Sequence, residues 1–330
     1  MTRDSEPRRT APTTIGRAEI RAAHARIAPH VRRTPILEAA SPTAGAPPVS
    51  LKLEFLQHTG SFKPRGAFFN LLTRPAPAIG CATASGGNHG AAVAYAAAKL
   101  GLRARIFVPE TAAPVKIAKI KAYGAEVVVE GASYFEAQAL CDAYVAASGA
   151  LAIHPYDAAE TIAGQGTVGL EWEEGLARLG APPLDAVLVA VGGGGLIAGV
   201  AAWFDGRVKV VGVEPEGSRA LHAALAAGRP VDVGVASVAA DSLGARRVGE
   251  LNFVIARRAV AEVALVTDEA IRAAQLGLWR DFSIVAEPGG AAAYSALASG
   301  AYRPAPGERV GVLLCGANVD LATLAAAAAP

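Results

Sequence analysis

The sequence predicts an α/β protein of two open-sheet domains, each a mostly parallel sheet with helices on both faces. Short continuous apolar runs alternate with alanine-rich helical stretches, the pattern of buried parallel strands joined by crossover helices. The alternation occurs in two series, one before and one after HPYD at 154–157. Glycine-rich loops follow several of the strand-like runs, at the strand carboxyl ends where open α/β sheets bind ligands.

Taken in order, 1–14 reads as a polar tail without the apolar stretch of a targeting signal. A helix is expected over 17–31, closed by Arg33, Thr34 and Pro35, and an apolar run at 49–55 leads into SFKPRGA at 61–67. The first series places strands at 79–84, 104–108, 125–129 and 151–154. The second opens with a helical stretch at 158–179, interrupted by Gly164, Gly166 and Gly169, and continues with strands at 186–191, 208–213 and 310–315. The last ten residues, 321–330, read as a helical end.

Bulk properties narrow the function. A chain of 330 residues with 52% hydrophobic and 18% charged residues can bury a large core. The net charge of +2, with basic residues scattered, gives no nucleic-acid surface. Apolar stretches are broken by Gly, Pro or charge before they could span a membrane. Cys81, Cys141 and Cys315 are odd in number and far apart, which fits a reducing compartment; the expectation is a cytoplasmic protein.

Four stretches carry chemistry. In SFKPRGA, Pro64 suits the first turn of a helix and puts Lys63 at its cap, where the positive helix end disfavours an ammonium. A free amine there suits attack on a carbonyl; the plainer reading is a surface lysine beside a turn. SGGNHG at 85–90 lies between a strand and a helical run, so its backbone N–H groups form an anion site, unless its glycines only satisfy a turn. GGGGL, comprising Gly192, Gly193, Gly194, Gly195 and Leu196, lies between another strand and helix and can wrap a phosphate. It lacks the lysine of a nucleotide P-loop, so the phosphate is not expected to belong to ATP; the plainer reading is a flexible linker. CGAN at 315–318 puts a thiol at a strand end, which by itself is as well read as a core cysteine.

An imine-forming lysine, a phosphate cradle, an anion loop and a strand-end thiol together describe a pyridoxal-phosphate site. SFKPRGA, SGGNHG, GGGGLIAG, VGVEPEG, AEPGGA and CGAN also occur in an order that resembles the threonine/serine dehydratase branch of the fold-type-II pyridoxal-phosphate enzymes, which includes serine racemase. The likeness runs from about residue 34 to 318. It implies the tryptophan synthase β-like fold, with 1–76 and 155–330 as a large cofactor-binding domain and 77–154 as a small domain for the substrate carboxylate.

Carried over by position, the resemblance makes Lys63 the lysine that holds the cofactor as an imine and removes the substrate α-proton. Phe62 would pack beside the cofactor, Gly192 to Leu196 would hold its phosphate, Asn88 would bond its phenolic oxygen, and Cys315 would face its pyridine nitrogen. The substrate carboxylate would lie on the loop of Ser85, Gly86, Gly87, Asn88 and His89. A thiol at the pyridine nitrogen, unlike an aspartate, leaves that nitrogen largely neutral and favours elimination. The implied products are a 2-oxo acid and ammonia, the substrate is a small β-hydroxy amino acid, and the assembly is a homodimer.

Three features depart from the pattern. Racemases of this kind carry a serine where Gly86 stands, so dehydration with little racemisation is expected. Relatives that bind a divalent cation use a glutamate, a carbonyl and an aspartate; here Glu214 and Ser218 are followed by Ala220, so no metal is assigned and Glu214 is equally a helix-start carboxylate. The DSLGARRVG segment at 241–249 lacks the usual glycine after its aspartate, which opens the substrate to phenylserine, hydroxyaspartate or another β-hydroxy amino acid. A β-replacement synthase or racemase of the same fold, and more remotely a non-catalytic cofactor carrier, are the competing readings.

Overall fold

The computed structural model describes residues 15–42, 45–112, 114–320 and 322. The readings of 1–14 and, residue 322 apart, of 321–330 lie outside them. In chain order the elements begin with α1 (Arg17–Ile27), β1 (Ile36–Ala39), β2 (Val49–Lys52) and α2 (Pro64–Thr73). A regular βα series follows: β3 (Cys81–Ala84), α3 (Asn88–Lys99), β4 (Ala104–Val108), α4 (Pro114–Ala122), β5 (Glu126–Val129), α5 (Tyr134–Ser148) and β6 (Leu151–Ala152). The second series comprises α6 (Ala159–Arg178), β7 (Ala186–Ala190), α7 (Gly195–Phe204), β8 (Lys209–Pro215), α8 (Ala220–Ala227), α9 (Ala240–Leu243), α10 (Glu250–Ala259), β9 (Glu262–Val266), α11 (Asp268–Phe282), α12 (Pro288–Ala298) and β10 (Val310–Leu313).

The strands form two sheets, ordered β1-β2-β10-β7-β8-β9 and β5-β4-β3-β6. All pairings are parallel except β1 with β2, which are antiparallel with Ile36 opposite Lys52. Every strand expected from the sequence is present, some shorter than expected. Three more are present in the larger sheet, β1 and β9 at its edges and β2 beside β1. The stretch at 49–55 splits into β2 and a 3-10 turn, Glu54–Leu56. The helix at 158–179 is not interrupted by its glycines, because α6 runs unbroken through them. They are there for space: a Cβ on Gly166 would lie 2.8 Å from the Gly199 carbonyl oxygen of α7, so the two helices pack backbone to backbone.

Beneath α2 lies a buried charge cluster. The Arg65 guanidinium meets Glu54 and, at 3.1 Å, Glu171; Lys52 Nζ donates to Glu171 Oε1 at 2.6 Å and to the Thr34 carbonyl at 2.6 Å. With two cations, two carboxylates and further hydrogen bonds, the cluster is balanced, as burial of charge requires. Because Arg65 belongs to the first turn of α2, the cluster fixes the turn that presents Lys63.

Candidate active site

The loop bearing Lys63 and the loop bearing Cys315 lie side by side. Ser61 pairs with Gly316 in an isolated antiparallel bridge, and the Phe62 N–H donates to the Cys315 carbonyl at 3.2 Å. Lys63 is the N-cap residue of α2 and Pro64 its first helical residue, as expected from the sequence. The residue keeps some exposure, but its amine end is enclosed. Nζ donates to the Pro155 carbonyl at 2.8 Å and lies 5.1 Å from the Phe62 ring centre. Burial pushes the amine down to about 8, against the pull of Cys315 and Glu287 toward the charged form. The main cause is therefore desolvation, where the sequence alone points to the helix end.

The glycine loop after β7 closes the other side. Gly194 caps α7 with φ +94°, a conformation that suits glycine. A Cβ on Gly193 would stand 2.4 Å from the Tyr156 ring, so that ring packs directly on the loop backbone. The loop is pinned from outside: the Gly193 carbonyl accepts from Asn252 Nδ2 at 2.8 Å and from the Gly249 N–H at 3.1 Å. Its inward N–H groups stay available to an anion, with the amino end of α7 behind them.

SGGNHG connects β3 to α3, which begins at Asn88. Ser85 Oγ accepts the Gly87 N–H at 3.2 Å. His89 turns its ring away: Nε2 lies 3.1 Å from the Ile153 carbonyl, and burial pushes its pKa down to about 3, so it is neutral. Of the carboxylate-binding role expected for His89, only the backbone N–H is free of that arrangement. The Asn88 side chain is held at both ends, Nδ2 donating to Glu287 Oε1 at 2.6 Å and Oδ1 accepting from Asn318 Nδ2 at 2.6 Å. Gly86 faces Ala112, whose methyl would lie 2.9 Å from a Cβ at that position.

Cys315 is buried, its Sγ 3.6 Å from the Gly289 carbonyl, and burial pushes the thiol up to about 12. It is a neutral group. Glu214 is used by the fold: its two oxygens accept the Leu221 and His222 N–H groups at the start of α8, each at 2.8 Å.

Several contributors carry no role in the sequence reading. Glu287, in AEPGGA, is buried, its pKa is raised by burial, and its Oε2 has no protein partner among the described residues. Asn318, in CGAN, links Asn88 to the Thr59 carbonyl. Within HPYD, Tyr156 covers the glycine loop, and the Asp157 carboxylate accepts the Glu250 and Leu251 N–H groups that open α10. The motif positions are the available signal; the partners are not visible in them.

An amine of lowered pKa, a cradle for a phosphate at a helix start, a carboxylate-sized anion loop and a neutral thiol fit pyridoxal phosphate group by group. The site thus defines an α/β enzyme of imine chemistry that holds a phosphorylated cofactor. The family model described as pyridoxal-phosphate dependent enzyme matches residues 27–316, and the chain belongs to that family. It is 40% identical over 310 residues to a phenylserine dehydratase of Ralstonia pickettii, covering 91% of this chain and 92% of that protein. Among solved structures it is similar to a threonine deaminase of T.th. (TM-score 0.85, 37% identity, 92% of this chain and 99% of that one). It is also similar to maize serine racemase (TM-score 0.87, 32% identity, 96% and 97%). Within the family the chain is a dehydratase-like ammonia-lyase, a carbon-oxygen lyase. No described helix is long and apolar enough to cross a membrane.

Proposed function

We propose that the protein eliminates water from L-threonine, L-serine, phenylserine or a related β-hydroxy amino acid, and that the enamine released tautomerises and is hydrolysed by water to a 2-oxo acid and ammonia. The observation that carries this is Lys63: an enclosed amine with its pKa brought to about 8, bonded to the Pro155 carbonyl next to the Tyr156 that packs on the glycine loop, and close enough to the neutral Cys315 thiol to feel it. When bound, pyridoxal phosphate supplies the electron sink for the carbanion formed at the substrate α-carbon. Gly192, Gly193, Gly194, Gly195 and Leu196 would hold its phosphate through N–H groups, and Phe62 would pack against its ring. Asn88, oriented by Glu287 and Asn318, would serve the phenolic oxygen, and Cys315 would meet the pyridine nitrogen without protonating it. The loop from Ser85 to His89 holds the substrate carboxylate, and Lys63 Nζ takes the α-proton.

Residues 77–154, whose strands β3 to β6 form their own sheet, make the small domain of this reading, and 1–76 with 155–330 the large one. A cytoplasmic homodimer belongs to the same reading on the strength of the family likeness. Racemisation is disfavoured, because Gly86 has no side chain to deliver a proton to the opposite face and the Ala112 methyl crowds that position. The test is a panel of β-hydroxy amino acids assayed for 2-oxo acid and ammonia, with chiral analysis of the remaining substrate. Wild type is expected to turn over at least one of them with little D-isomer, and Lys63→Ala to lose activity by a factor of a thousand or more (~4 kcal/mol). Equal turnover by the two proteins would refute the role of Lys63.

A further inference from the structure

The dehydratase reading leaves open what stands on the substrate β-carbon, and the walls around that carbon answer it. We infer that the preferred substrate is a β-aryl β-hydroxy amino acid, its ring held by Tyr134 and Phe135 at the start of α5 and by Tyr156; this rests on the dehydratase reading. In this inference a substrate with its carboxylate on the SGGNHG loop and its amine beside Lys63 would place its β-substituent between HPYD and the segment 241–249, which flank both positions. That segment closes in on both glycine loops: the Asp241 carbonyl lies 3.7 Å from the Cβ position of Gly87, and Leu243 Cα 3.2 Å from that of Gly192. On the HPYD side, Pro155 receives the Lys63 amine and Tyr156 lies on Gly193. Tyr134 extends this wall. Its hydroxyl is raised in pKa by burial and by the neighbouring Tyr156, and its ring meets that of Phe135 edge-on with centres 6.0 Å apart.

Of the three cations on this wall, Lys116 and Arg247 are paired with carboxylates and Arg246 lies over a ring with no carboxylate partner among the described residues, so the choice between an aryl group and a carboxylate turns on the exposed ring area, which favours the aryl group. Arg246 lays its guanidinium over the Phe135 ring at 5.3 Å, Lys116 pairs with Asp241, and Arg247 pairs with Asp232 and Glu250. What remains presented is ring surface, with Tyr134 39% and Phe135 56% exposed although both are large and largely apolar. A methyl group would leave most of that surface bare; an aryl ring can cover it in edge or offset-stacked contact.

The experiment compares kcat/KM of the holoenzyme for L-threo-phenylserine, L-threonine and β-hydroxyaspartate, in wild type, Phe135→Ala, Phe135→Leu and Tyr134→Ala. Alongside, calorimetry measures binding of L-phenylalanine and L-2-aminobutyrate, which lack the leaving hydroxyl. Wild type is expected to prefer phenylserine over threonine by about ten-fold or more, as small changes in apolar complementarity allow. The alanine variants should reduce that ratio about ten-fold, Phe135→Leu should reduce it less, and phenylalanine affinity should fall in parallel. A wild-type preference for threonine or hydroxyaspartate, or an unchanged ratio in all three variants, overturns the aryl assignment. Phenylalanine binding that follows Tyr134 and Phe135 while no β-hydroxy amino acid yields a 2-oxo acid would support the aryl site and refute the dehydratase reading.

Discussion

Lys63 is useful only to the extent that its amine is free. Burial holds it at about 8, so near pH 7 roughly a tenth of the apoprotein carries the nucleophile, against well under a thousandth for an ordinary lysine. Condensation of the apoprotein with pyridoxal phosphate, followed by absorbance in stopped flow, should therefore accelerate about ten-fold from pH 6 to 7 and level off above pH 8. A rate that keeps climbing to pH 10 would show that the amine is not desolvated. At this scale the sequence is legible where a residue type is tied to a chemistry: a lysine before proline, four glycines after a strand, a thiol at a strand end. Glu287 is not legible, because its place depends on Asn88, 199 residues away, and no local pattern carries such a partner. The same holds for Tyr156, whose ring becomes part of the site only once α7 brings Gly193 beneath it.

At the scale of elements, the buried parallel strands are readable because they are continuous apolar runs, whereas β1 and β9 are not. Both are edge strands of the larger sheet with polar residues among their apolar ones, Glu38 in one and Glu262 in the other, so neither gives the uniform signal of a buried strand. The end of β8 shows how an element can be held at a cost. Glu214 satisfies two N–H groups of α8, yet burial raises its pKa from 4.5 to about 7. Between those values the folded state binds more protons than the unfolded one, so stability from this group is full below pH 4.5 and is lost as the pH rises through 7. Glu214→Gln does not titrate. Its stability relative to wild type, measured by chemical denaturation, should improve from pH 5 to pH 8 by up to about 3 kcal/mol. A difference that is flat, or that shrinks with pH, would mean that the carboxylate is ionised at no cost in the folded protein.

In the whole molecule the two sheets are joined in two ways: an apolar cluster packs Ile27, Phe68 and Leu71 with Val93, Ile106 and Ile120, and around the site the contacts are polar. Asn88 reaches Glu287, Lys119 reaches Asn318 and the Thr59 carbonyl, and Lys116 of α4 pairs with Asp241 of α9 beside the path of the substrate. The last pair is the most open to solvent, with Lys116 21% and Asp241 61% exposed, so its worth is that of a surface ion pair, about 0.2–1 kcal/mol. That is too little to hold the fold but enough to bias closure over a bound substrate. Removing it in Lys116→Met should raise KM about two- to five-fold and change kcat less, since the contact lies outside the reacting atoms. Salt offers an independent check: because screening weakens an exposed pair, the wild-type KM should rise toward that of the variant near 0.5 M sodium chloride, while the variant changes little. Should kcat fall steeply with KM unchanged, the pair would have to act on the chemical step, and its reading as a clasp between the two sheets would be wrong.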